Sequence, residues 1–171
     1  MAMSKLTIAG ALTAGLLLAA QPAAAQAAVG PDAAACNAGS GQTAVLVNVK
    51  GFRAATGSVR VVVYSGDPAE FLERGKSVRR VDLPVSATDM PVCVALPGPG
   101  RYAIAVRHDQ DGNGQTGWSD GGGFSNNPRV ALPNPRPRHE DVAIDVRPGV
   151  QPIEVVMNYR FGLSIRPVAG R

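Results

Sequence analysis

The stretch from Asp109 to Asp120, DQDGNGQTGWSD, gathers oxygen-bearing side chains at alternate positions. Asp109, Asp111 and Asn113 occupy positions one, three and five of a twelve-residue calcium loop. Gly114 falls at position six, where such a loop turns sharply, and Asp120 closes it at position twelve. Gln115, at position seven, offers its backbone carbonyl. A hard cation takes six to eight oxygens, and a tightly curled loop can aim alternate residues inward to supply them. Asp120 is shorter than the Glu usual at the closing position, so binding should be weak, on the order of 0.1–1 mM, as in extracellular modules. No helix is expected on either side, which excludes an EF-hand. A rival reading needs no metal: Asp, Asn and Gly build Asx-turns for their own reasons.

Other chemistries find less support. His108 beside Asp109, with Ser125 further on, allows a Ser-His-Asp hydrolase to be drawn, but a triad is recognised by geometry. Gly123-Phe124-Ser125-Asn126-Asn127 lacks the second Gly of a nucleophile elbow. Zinc would need His108 and His139 to converge with a carboxylate, across a Pro-rich connector. The single Trp118 reads either as a lid over one end of the domain or as a stacking platform. His108, Trp118, Phe124 and Asn126 are the candidate contacts to an envelope or extracellular ligand.

These residues must be positioned by strands. Thr43–Lys50 and Ser58–Ser65 alternate valines with period two and read as an opening hairpin. One short helix is expected from Asp67 to Arg74, with Asp67 as cap, Pro68 at its first position and Gly75 as stop. Val78–Val85, cut by Pro84, reads as an edge strand. Pro91–Leu96 is a further strand. Arg101–His108 is apolar on both faces and should be central. From Asp109 to Pro128 the pattern gives way to a long loop, made mobile by its glycines. Pro133–Pro137 is an extended connector, and Asp141–Arg147 with Ile153–Phe161 reads as a closing hairpin. The fold class is therefore an all-β antiparallel sandwich with one short helix on a connection.

The pattern from Gly100 to Val106, then His108-Asp109-Gln110-Asp111-Gly112-Asn113-Gly114, then Gly123 to Asn127 and a terminal Tyr159, resembles the family named domain of unknown function 2141. The resemblance runs roughly from Thr43 to Gly162. It implies an immunoglobulin-like or transthyretin-like sandwich and an exported bacterial protein, and it implies no known activity. Trp118 to Gly122 departs from the stretch that family members commonly carry there.

Export is also read from the N-terminus. Lys5, an apolar run from Leu6 to Ala20, and small residues around Ala25 and Ala27 form a signal peptide over 1–27. A lead-in (28–42), the sandwich (43–164) and a tail (165–171) follow. The run is short for a membrane span and no later stretch could serve, so no integral membrane segment is expected after cleavage. The two cysteines, Cys36 and Cys93, are expected to pair in an oxidising compartment, periplasmic or secreted. The formal charge of +4 is spread over 17 basic and 13 acidic residues, with 5% aromatics. Without a basic stripe and stacking aromatics, nucleic acid is not expected as a partner. The leading reading is a non-enzymatic exported module whose loop holds calcium or an envelope ligand. The hydrolase, or a purely structural envelope protein, is the alternative.

Overall fold

A computed structural model describes residues 27–168. The segment expected to be a signal peptide lies almost wholly outside the described residues. Ten strands form two packed sheets: β1 (Ala44–Lys50), β2 (Ser58–Tyr64), β3 (Ser77–Pro84), β4 (Met90–Ala95), β5 (Gly100–Asp109), β6 (Gly121–Phe124), β7 (Ala143–Val146), β8 (Val150–Val156), β9 (Asn158–Phe161) and β10 (Ser164–Pro167). The smaller sheet has the order β4-β1-β8. The larger runs β10-β9-β6-β5-β2-β3, with β7 pairing the start of β5. All pairs are antiparallel except β1 with β8, which is parallel. The molecule is thus the expected all-β sandwich.

Alternation explains the core. Val45, Val47 and Val49 of β1 face Val59, Val61 and Val63 of β2 and Ile104 and Val106 of β5, all in one buried cluster. At roughly 1.5–3 kcal/mol for each fully buried valine-sized side chain, this layer is the main source of stability. β5 is central, with Tyr102, Ile104 and Val106 inward and Ala103 in a second buried cluster on the outer face. β3 lies at the edge, as Pro84 requires. Cys36 and Cys93 are disulfide-bonded, tying the lead-in to β4 across 57 residues of sequence.

Several local expectations are corrected. β1 and β2 are not a hairpin, because the seven residues between them carry the chain from one sheet to the other, with Phe52 buried in the core on the way. β7 and β8 likewise belong to different sheets, and Ile153–Phe161 is split between β8 and β9. The helix expected over Asp67–Arg74 shrinks to one 3-10 turn, Pro68–Glu70. Asp67 does cap it, accepting from the Ala69 N–H at 2.9 Å, but Leu72 turns left-handed at φ 61° and no second turn forms. The short α-helix, α1, is instead His139–Val142.

The loop expected to run from Asp109 to Pro128 contains β6. Its sequence, GGGF, has little strand propensity. It forms because neighbours need the space. A Cβ on Gly121 would lie 2.6 Å from Tyr159 Cζ, and one on Gly123 would lie 2.7 Å from Val155 Cγ1. The glycines therefore let buried side chains approach a strand closely, rather than loosening a loop.

Candidate functional site

β5 delivers Asp109 to the end of the larger sheet and β6 begins just after Asp120, so the paired strands close the intervening loop at its neck. Within it, carboxylate oxygens of Asp109, Asp111 and Asp120 all lie within 4.8 Å of one another. Three like charges at that spacing repel by roughly 1–3 kcal/mol per pair, depending on the local dielectric. Fixed N–H donors hold them. Asp120 accepts from the Gln110 N–H at 3.2 Å and the Gly117 N–H at 3.0 Å. Asp109 Oδ2 accepts from the Gly114 N–H and from Arg107 Nη2, each at 2.9 Å. Burial pushes the Asp109 carboxyl up. The Gly114 N–H and the Arg107 charge outweigh that and hold it below the usual carboxylate range.

The Asx-turns of the rival reading are also present. Asp111 accepts from the Asn113 N–H at 3.2 Å, and Asn113 Oδ1 accepts from the Gln115 N–H at 2.7 Å. Asn113 Nδ2 further donates to Asp111 Oδ2 at 2.7 Å. Asn113 and Gln115 are thus placed on the exposed rim beside the carboxylates. These turns leave something over. The Asp109 side chain is 7% exposed, and its Oδ1 has no hydrogen-bond partner. Gln110 Oε1 is buried in the same condition. A buried carboxylate oxygen lacking a donor, beside two further carboxylates, is what a cation would satisfy.

His108 faces the other way, into the core. Its Nε2 is 2.8 Å from the Thr56 carbonyl, which can only accept, so Nε2 carries the hydrogen. Nδ1 takes the Tyr159 hydroxyl at 2.6 Å, and that oxygen accepts from the Arg53 N–H at 3.0 Å. Burial pushes the Tyr159 phenol up to about 12. Ser125 is also fully buried, its Oγ accepting from the Ile104 N–H at 3.1 Å and donating to the Val142 carbonyl. His108 and Ser125 are therefore each committed to other partners. His139 bonds the Ser65 carbonyl at 3.2 Å, on the far side of the larger sheet from the His108 ring.

The remaining candidates fall on the outer face. Trp118 is 71% exposed, so it does not pack as a lid, and the Arg160 guanidinium stacks on its ring at 3.3 Å. Phe124 lines a cavity of about 430 Å³. Asn126 Nδ2 donates to the Ala143 carbonyl at 3.0 Å, and Asn127 clamps β8 through the Val156 N–H at 2.7 Å and the Glu154 carbonyl at 3.1 Å. Asn126 and Asn127 take positive φ, which Asn tolerates better than most residues. The GFSNN segment is thus a structural clamp.

Sequence reasoning missed Arg107 as the partner of Asp109. The signal was its place two residues before Asp109, on the same face of a strand. It also missed Gly57, whose absent Cβ leaves room for the Gln110 carbonyl.

Fold and loop together define a β-sandwich module with an acidic loop at one end of its larger sheet. The chain belongs to the family described as "Uncharacterized protein conserved in bacteria (DUF2141)", whose model matches residues 47–154, from within β1 to within β8 and across the whole acidic loop. No curated protein and no solved structure matches the chain. Among the described residues, no helix is long and apolar enough to cross a membrane.

Proposed function

We propose that this protein is an exported, non-enzymatic β-sandwich module whose Asp109–Asp120 loop holds one calcium ion. One observation carries the reading. Three carboxylates converge within 4.8 Å while Asp109 Oδ1 is buried without a donor. Asp109, Asp111 and Asp120 would bind the ion, with Asn113 and the Gln115 carbonyl completing the oxygen set. The ion would brace the loop against β5 and β6. The disulfide supports an oxidising compartment, periplasmic or extracellular, and the N-terminal apolar run supports the export route. The commitments of His108 and Ser125 to core partners support a non-enzymatic role.

Thermal melts with calcium and with EDTA test this. Calcium at ten times its dissociation constant should raise Tm by roughly 3–6 °C, and Asp111→Ala should abolish the shift. Identical melting in calcium and EDTA would remove the proposal.

A further inference from the structure

The outer face of the larger sheet carries a cavity beside the acidic loop. The cross-strand register orders its side chains into rows. Val62 of β2 lies opposite Ala105 of β5, which lies opposite Phe124 of β6. This apolar row is half-buried and floors the 430 Å³ cavity, with Leu132, just before the Pro-rich connector, and Ile165 of β10 among its other walls. The next row along is cationic. Arg60 lies directly opposite Arg107, and Arg107 lies opposite Gly122, whose missing side chain keeps the space open. Arg160 of β9 lines the same cavity.

Like charges directly opposed across strands are unfavourable and need a counter-charge. The counter-charges present are shared out. Asp82 accepts from Arg60 at 2.6 Å but also pairs with Arg80. Arg107 has Asp109, which belongs to the acidic loop. Arg160 has no carboxylate partner among the described residues, only the Gly162 carbonyl at 3.0 Å and the Trp118 ring. Asp120 is the one acid lining the cavity, against these three arginines. An apolar trough ending in an under-neutralised arginine row is complementary to a molecule with one acidic end and an apolar body. The volume sits within the range of small-molecule sites, roughly 300–1,000 Å³.

We propose that this cavity binds a small amphipathic carboxylic acid. Its carboxylate would lie between Arg60 and Arg107, and its apolar chain would lie along Val62, Ala105 and Phe124. The site goes beyond the calcium reading and does not depend on it.

The probe is dodecanoate, titrated below its micellar concentration by calorimetry and by Trp118 fluorescence, once in EDTA and once in calcium. Dodecyltrimethylammonium supplies the same chain with the opposite charge. Dodecanoate should bind in at least one condition, at least about tenfold more tightly than the cationic chain. Arg60→Glu should weaken it about tenfold or more, and Arg160→Glu provides a second variant should the first fail to fold. Absence of binding in both conditions would overturn the proposal. So would equal binding of the two chains, or dodecanoate affinity unchanged in the folded arginine variants.

Discussion

Arg107 donates to Asp109 Oδ2 at 2.9 Å, and so sets a fixed cation against the carboxylate whose other oxygen is buried without a partner. The two residues share one face of β5, two positions apart. A metal bound by Asp109 must share that carboxylate with the guanidinium. Removing the competing charge should therefore favour the metal. Arg107→Gln is expected to strengthen calcium binding about three- to tenfold, whereas Arg107→Lys, which keeps the charge, should leave it nearly unchanged. Calorimetric titration of the three proteins checks this, and weaker binding in Arg107→Gln would count against the arrangement.

Gly57 supports the loop from the neighbouring strand connection. Its φ is +71°, and a Cβ there would lie 2.7 Å from the Gln110 carbonyl oxygen. Gly57→Ala should cost more than about 1 kcal/mol, because the residue is both strained and crowded. It should also weaken calcium binding by displacing Asp109 and Gln110. Urea denaturation and calcium titration read the two effects separately.

The Tyr159 hydroxyl links His108 Nδ1 to the Arg53 N–H inside the core. Tyr159→Phe keeps the ring and removes the oxygen, leaving the buried His108 Nδ1 and the half-buried Arg53 N–H unpaired. The expected loss is about 1–3 kcal/mol in chemical denaturation, with the metal response retained. An unchanged midpoint would mean that the hydroxyl is not bonded as described.

Low pH should loosen the lead-in. The Arg79 hydrogen bond holds the Asp32 carboxyl below its ordinary value, against burial and with help from the Ala95 N–H. A depressed folded pKa means that the unfolded chain binds the proton more readily. The contribution is therefore present above the ordinary value of 3.8 and is lost as pH falls through the lower folded value. Wild-type stability should drop on going from pH 5 to pH 3. Asp32→Asn, already lacking the charge, should show a smaller drop in urea melts at the two values.

What the sequence disclosed, and what it hid, follows from the physics of each element. The alternation in Arg101–His108 marked β5 as central because burial on both faces leaves an apolar record. Pro84 marked β3 as an edge because proline cannot donate to a second neighbour. An expected oxidising compartment and an even cysteine count were enough to predict the pairing of Cys36 with Cys93. Period two, however, says which face a residue takes and not which strand lies beside it. The crossings after β1 and β7 were therefore misread as hairpins. β6 was hidden because its cause, the packing of Tyr159 and Val155 against Gly121 and Gly123, is tertiary. The acidic loop was legible from its spacing. The arginine row opposite it was not, since Arg60 and Arg107 become neighbours only through the register of β2 and β5.

The most direct test of the proposed calcium site is titration of the ion into EDTA-stripped, disulfide-intact protein by isothermal calorimetry, with Asp120→Asn alongside. One ion per chain is predicted, with a dissociation constant on the order of 0.1–1 mM that weakens at least tenfold in the variant. Absence of saturable binding to the wild-type protein up to roughly 10 mM calcium, ten times the weak end of that range, would contradict it.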